Sequence, residues 1–226
     1  MISPLGPKGF EVIEDVYSKQ EIDEILRLIH SKGLENRYGV RNFLADHPEI
    51  AQKVFTDNLL EIIKRIAPDC TKSIKSIYFD KPPSANWIVN WHQDLTINLT
   101  NRKEVPGFRN WRVAGQRTVV QPPRAFLENI FTVRIHLDDC PEENGALRVM
   151  EGSHTGGVIQ IKDWMKTREG VERICEVQRG GILVMKPLIL HASRRTENHK
   201  SRRVIHVEFT DQELPDGLQW KEGVEI

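Results

Sequence analysis

Cysteine is scarce. Cys70, Cys140 and Cys175 are widely spaced among 226 residues and form no C-x-x-C pair. That spacing argues against both a disulfide framework and a cysteine zinc site, and a reduced, cytoplasmic setting is expected. Charge of one sign is not in excess: 32 Lys and Arg face 32 Asp and Glu. A dedicated nucleic-acid binder carries a basic surplus, so no nucleic-acid partner is expected. No apolar run approaches the roughly 20 residues of a membrane span. The longest, residues 181–191, contains Lys186, so no membrane partner is expected either. Met1-Ile2-Ser3-Pro4 shows no basic segment leading into an apolar core, and a secretory leader is not expected. No Gly-rich phosphate loop follows a strand, which disfavours a nucleotide-binding α/β fold. Internal repeats are also missing. Apolar residues make up 39 % of the chain, with 15 Gly. That is an ordinary globular composition, expected as one domain over residues 1–226.

The chain divides into a helical front, residues 1–72, and a strand-rich remainder, residues 73–211. Ser18-Lys19-Gln20-Glu21 has the residues of a capping box. Ile22, Ile25, Leu26 and Ile29 follow on one helical face, and Gly33 is a stop. A second helix starts at Asp46-His47-Pro48-Glu49, continues apolar through Ile50, Val54, Leu59, Ile63 and Ile66, and ends at Pro68. Both helices read as buttresses for a sheet. Strand-like runs then fall at residues 74–79, 87–91, 95–99, 118–120, 130–137, 146–150, 173–177, 182–185 and 204–209. Short strands separated by Pro and Gly turns predict a mainly β sandwich or barrel. Residues 100–124 carry Arg102, Lys103, Arg109, Arg112, Arg117 and Arg124 against a single Glu104. So long and polar a segment reads as a lid-like loop. Its clustered charge points to a small, anionic substrate.

His92-Gln93-Asp94 places an imidazole and a carboxylate two residues apart. On extended backbone, residues i and i+2 point to one side, so both can reach one ion. His191 follows the run 181–190 and supplies a third ligand. Two His and one carboxylate form the facial triad of non-haem Fe(II) oxygenases, with three positions left open. Three decoys share the spacing: His136-Leu137-Asp138, His47-Pro48-Glu49 and His206-Val207-Glu208. His47 sits at a helix start beside Pro48. His206 has no later partner. His136 lies within the most continuous strand pattern, where a hydrogen-bonded sheet histidine is the simpler reading.

After His191 come Ala192-Ser193, a polar turn over residues 194–201, and Arg202-Arg203-Val204-Ile205-His206. A hairpin there would bring an arginine back beside His191. A guanidinium can grip a carboxylate with two parallel hydrogen bonds. A non-oxidative barrel has no need of that clamp.

Between residues 81 and 209 several motifs occur together. They are Lys81-Pro82-Pro83, Trp91-His92-Gln93-Asp94, Arg134-Ile135-His136-Leu137-Asp138, Glu143-Asn144-Gly145-Ala146-Leu147-Arg148-Val149 through Gly152-Ser153-His154, and Pro187-Leu188-Ile189-Leu190-His191-Ala192-Ser193 with Arg202 eleven residues on. In this set and order the chain resembles the phytanoyl-CoA dioxygenase family of Fe(II)/2-oxoglutarate oxygenases. The resemblance implies a double-stranded β-helix (jelly-roll) core. It carries iron ligation onto His92, Asp94 and His191, and 2-oxoglutarate contacts onto Arg202, Ser193, Lys81 and Phe131. It implies hydroxylation of a small or medium organic substrate with O₂, giving succinate and CO₂. A carboxylate at Asp94 fits hydroxylation, because halogenating relatives keep that position small. Glu151 stands where many members have Pro, and Phe131 where some have Trp. The alternative is a non-oxidative, cupin-like metal-binding barrel.

Overall fold

The computed structural model describes residues 5–82, 87–198, 200–215 and 217–226. Its strands, in chain order, are β1 (Phe10–Ile13), β2 (Val40–Arg41), β3 (Lys72–Lys81), β4 (Val89–His92), β5 (Ile97–Leu99), β6 (Arg109–Ala114) and β7 (Arg117–Gln121). They continue with β8 (Phe131–His136), β9 (Leu147–Met150), β10 (Glu172–Cys175), β11 (Ile182–Met185), β12 (His191–Ser193), β13 (Arg202–Phe209) and β14 (Val224–Glu225). The helices are α1 (Lys19–Ser31), α2 (Phe43–Asp46), α3 (Pro48–Val54), α4 (Asp57–Ile66), α5 (Arg124–Glu128) and α6 (Ile161–Thr167).

The front of the chain forms helices for local reasons. The Ser18 hydroxyl accepts from the Glu21 N–H, and the Glu21 carboxylate accepts from the Ser18 N–H at 2.7 Å. This reciprocal pair satisfies two of the donors that a helix start leaves open. Ile22, Ile25 and Ile29 are buried on one face of α1. Gly33 closes the helix at φ 64°, where an L side chain is strained. The apolar run after Pro48 does not make one helix. α3 stops at Val54, and the Thr56 hydroxyl accepts from the Leu59 N–H and starts α4 afresh. A threonine cap of this kind stabilises a helix by about 1 kcal/mol.

The β core is two antiparallel sheets. The larger runs β1-β11-β8-β13-β3-β14, with β2 on β3, and the smaller runs β10-β9-β12-β4. Side-chain parity divides the larger sheet. Phe131, Val133 and Ile135 of β8 and Ile205, Val207 and Phe209 of β13 pack with the isoleucines of α1 and with Leu59 and Ile63 of α4. The opposite parity, with Lys75 of β3, Arg134 of β8 and His206 of β13, faces a cavity shared with β4 and β12. Leu147 and Val149 of β9 pack against Leu183 and Met185 of β11 and close the other end. Two facing antiparallel sheets in this order form the jelly-roll core, with helices covering one outer face.

Two expectations change. Residues 100–124 are not wholly loop. β6 and β7 form a hairpin, and β7 also pairs β5, making a third sheet of order β5-β7-β6. β6 alternates neither in polarity nor in burial, with only Trp111 and Ala114 partly covered, so it has no period-two signal. Residues 194–201 do not close a hairpin either, because β12 pairs β4 and β9 while β13 pairs β3 and β8. The turn crosses from one sheet to the other. All three cysteines are buried and unpaired. Among the described residues no helix is long and apolar enough to cross a membrane.

Candidate metal centre and its pocket

β4 and β12 pair so that His92 and His191 are direct cross-strand neighbours, with ring centroids 4.1 Å apart. The Nδ1 of His92 bonds the Asn90 carbonyl at 2.8 Å, and the Nδ1 of His191 bonds the Ile189 carbonyl at 2.9 Å. An N–H donated at Nδ1 leaves the Nε2 lone pair free for a cation. Asp94 faces both rings, at 3.8 Å from His92 Nε2 and 3.6 Å from His191 Nε2. The three ligand atoms lie within 4.8 Å of one another.

Gln93, between His92 and Asp94, is a positioning residue that the H-x-D spacing does not reveal. Its amide donates to the Gly157 and Leu188 carbonyls and accepts from the Ile159 N–H at 2.8 Å. The Asp94 N–H donates to the Pro187 carbonyl. The segment is therefore pinned on both sides of the ligand pair.

The donor set fits a divalent iron. It has two imidazole nitrogens and one carboxylate oxygen, and Asp94 Oδ2 is buried with no hydrogen-bond partner, which a bound cation would satisfy. Although partly buried, the Asp94 carboxyl is held well below the usual carboxylate range, chiefly by His191. Burial pushes His191 down to about 4, so it is a neutral ligand near pH 7.

A second trio, Asp94, His206 and Glu208, has ligand-like spacing, but its groups are already engaged. Lys75 Nζ donates to Glu208 at 2.7 Å and to the Thr96 carbonyl. Arg134 donates to His206 Nδ1, and the opposite ring nitrogen faces Glu208 at 3.3 Å. In spite of its burial, Glu208 is held below the usual carboxylate range by Lys75 and His206. Lys75 supplies this trio with its cation.

The decoy at His136 resolves differently from expectation. His136 is a buried sheet histidine, but neither ring nitrogen has a partner among the described residues. Burial, then Arg134 and Arg202, push it well below the ordinary histidine range. Asp138 is taken by Arg203, with Nε and Nη2 bonds at 2.9 and 2.6 Å.

The cavity beside the triad is about 340 Å³. Arg202, Ser193 and Lys81 line it. Arg202 is a direct cross-strand neighbour of Lys81 and has no carboxylate partner among the described residues. Its place depends on Gly145 at φ 71°, where an added Cβ would lie 2.9 Å from Arg202 Nη1 and 2.7 Å from the Arg194 carbonyl. Asn144 donates to the Asp139 and Ser201 carbonyls and holds the entry to β13. Lys81 donates to the Trp87 carbonyl and lies 4.4 Å from the Trp87 ring centre. Burial, then Arg202 and Arg134, push it down to about 7. Pro83 of the same motif lies outside the described residues. Arg134, absent from the sequence expectation, lines the cavity and is pushed down to about 10 by burial and Arg202. Its β8 parity was the signal that could have found it.

That parity also corrects Phe131. It shares its face with Val133 and Ile135, is buried in the helix-side core, and stacks on Phe209 at 5.3 Å. It does not line the cavity.

Fold and site together define a jelly-roll protein in which two histidines and an aspartate that could hold a metal ion open on a cationic cavity. A family model, phytanoyl-CoA dioxygenase (PhyH), matches residues 7–204. The chain belongs to the phytanoyl-CoA dioxygenase family, whose cofactors are Fe(II) and 2-oxoglutarate. Among curated proteins none matches the chain. Solved structures similar to it include a non-heme alpha-ketoglutarate-dependent carbocyclase, SnoK, from nogalamycin biosynthesis (16 % identity, 91 % of this chain and 80 % of that one, TM-score 0.66). A second is HygX from Streptomyces hygroscopicus with iron bound (15 %, 90 % and 82 %, 0.62). A third is EctD from S. alaskensis with 2-oxoglutarate and 5-hydroxyectoine (14 %, 92 % and 73 %, 0.68). At these identities the likeness is one of fold.

Proposed function

We propose that this chain is an Fe(II)/2-oxoglutarate-dependent oxygenase that hydroxylates a small or medium organic substrate. The observation that carries the reading is one cavity with two chemically distinct walls. His92, Asp94 and His191 stand on one side, and Lys81, Arg134 and Arg202 line the same space. A dicarboxylate that chelates a metal at one end needs a cationic anchor for the other.

In this reading His92, Asp94 and His191 hold iron and leave three adjacent positions open. Arg202, with Ser193 and Lys81 beside it, holds the distal carboxylate of 2-oxoglutarate. Charge-assisted bonds in a buried site are roughly twice as strong as neutral ones. Gly145 keeps the space that the Arg202 guanidinium needs. Gln93 keeps the two-residue ligand pair from moving when the metal enters. The chemistry supplied by bound Fe(II) and 2-oxoglutarate is O₂ activation, in which 2-oxoglutarate ends as succinate and CO₂ and a hydroxyl is placed on the substrate.

The test is O₂ uptake and succinate release by purified protein given Fe(II) and 2-oxoglutarate, without and with candidate substrates. We expect slow succinate formation that requires both additions and is abolished in Asp94→Ala. Folded, iron-loaded protein that converts no 2-oxoglutarate and does not bind it would overturn the reading and favour a non-oxidative barrel.

A further inference from the structure

The cavity carries a second group of cations apart from Lys81, Arg134 and Arg202. Arg41 on β2, Arg112 on β6 and Arg117 on β7 also line it. They come from three strands in two different sheets, and the mutual positions of β2 and the β6–β7 hairpin bring them together. Arg117 is half-buried, while Arg41 and Arg112 are exposed. None of the three has an acidic partner among the described residues. Two other arginines of the same segment do: Arg102 pairs with Glu104 and Arg124 with Glu128. The Arg117 Nε is buried with no hydrogen-bond partner. The acidic residues lining the cavity, Asp94 and Glu208, are committed to the metal set and to Lys75. Burial, then Arg41 and Arg112, lower Arg117 from its ordinary range, so the three charges repel one another. Keeping three unpaired guanidiniums together costs stability unless a ligand neutralises them.

We propose that Arg41, Arg112 and Arg117 form the substrate-anchoring subsite of this pocket, and that the primary substrate carries a multiply charged oxyanion, a phosphate monoester or a dicarboxylate. This rests on the oxygenase reading, in which the inner cations are occupied by 2-oxoglutarate and the outer three remain for the substrate. Planar guanidiniums suit such groups because each can donate two parallel bonds.

The test uses anaerobic, Fe(II)-loaded protein with saturating 2-oxoglutarate, so that the inner cations are filled. Phenyl phosphate, phthalate and neutral benzyl alcohol are titrated by calorimetry. We expect at least one anion to bind saturably and benzyl alcohol not to bind. Arg117→Ala and Arg112→Ala should each weaken the anion at least tenfold, while Arg109→Ala, on the same strand but outside the cavity, should not. The anion that binds more tightly tells which oxyanion the subsite prefers. Absence of binding by both anions, or equal binding in Arg117→Ala and Arg109→Ala, overturns the proposal. The visible band of bound 2-oxoglutarate is recorded on the same wild-type samples. Band present without anion binding overturns the outer subsite alone. Arginine-dependent anion binding without the band supports the subsite and overturns the oxygenase reading.

Discussion

His92 and His191 lie directly opposite one another across the β4–β12 ladder, and each ring is tied at Nδ1 to the carbonyl two residues before it. The tie is made by the chain's own extended backbone, without a separate carboxylate. Both Nε2 atoms therefore point toward Asp94 before any cation arrives. Such pre-set ligands reduce the ordering cost of metal binding.

Arg202 and Arg203 are adjacent but separate in consequence. Loss of a charge-assisted clamp costs about 3 kcal/mol, roughly a hundredfold in affinity, so Arg202→Ala should raise the 2-oxoglutarate Kd by that order with little change in iron affinity. Arg203→Ala breaks a largely buried, bidentate pair with Asp138 and should cost about 1–3 kcal/mol of stability, with 2-oxoglutarate binding kept. Calorimetric titration of both variants distinguishes them. Equal loss of iron and 2-oxoglutarate binding in Arg202→Ala would make that residue structural.

Lys81 gives 2-oxoglutarate binding a pH dependence. With its ammonium pushed down to about 7 in the free pocket, it is cationic below that pH and neutral above it. An anionic ligand binds the cationic form better. Affinity should therefore fall as pH rises through 7, approaching tenfold per unit. Lys81→Met should flatten the profile at the weaker level. An unchanged slope in that variant would remove Lys81 from the site.

Glu222 should limit stability at high pH. Its carboxylate accepts from the Ser76 N–H and contacts the Ser76 hydroxyl, and burial pushes it up to about 7. Its folded pKa is above the ordinary carboxyl value. The contribution is thus fully present below that value and lost as pH rises through about 7. Glu222→Gln keeps an acceptor for the N–H and a donor for the hydroxyl. It should stabilise the protein at pH 8.5 by up to about 3 kcal/mol and change little at pH 4. Urea unfolding at the two pH values checks this, and an equal effect at both would contradict it.

Phe131 belongs to the core. Phe131→Ala removes the stack on Phe209 and should cost about 3–5 kcal/mol of unfolding free energy. The folded fraction should bind 2-oxoglutarate as wild type does. A specific rise in Kd without loss of stability would return Phe131 to the pocket.

The clustering of His92, Asp94 and His191 was legible because the spacing is local: His92 and Asp94 are two residues apart on extended chain, and His191 ends an apolar run. The Ser18 cap and the buried face of α1 were legible for the same reason. Phe131 differs from what the family resemblance implies because it shares the parity of Val133 and Ile135 and so packs in the helix-side core. The hairpin of β6 and β7 escaped notice because Arg109–Ala114 alternates in neither polarity nor burial. Thr56 broke an apolar run whose spacing looked continuous. Arg134, Arg41 and the Lys75–Glu208 pair depend on which strands are neighbours, and sheet register between distant segments leaves no local pattern.

The most direct measurement is an anaerobic titration of the protein with Fe(II) and 2-oxoglutarate, followed in the visible range. We expect a weak charge-transfer band in wild type and none in His191→Ala at matched folding. A folded wild type that binds both additions without the band, or a His191→Ala variant that keeps it, would contradict a common iron site built from His92, Asp94 and His191.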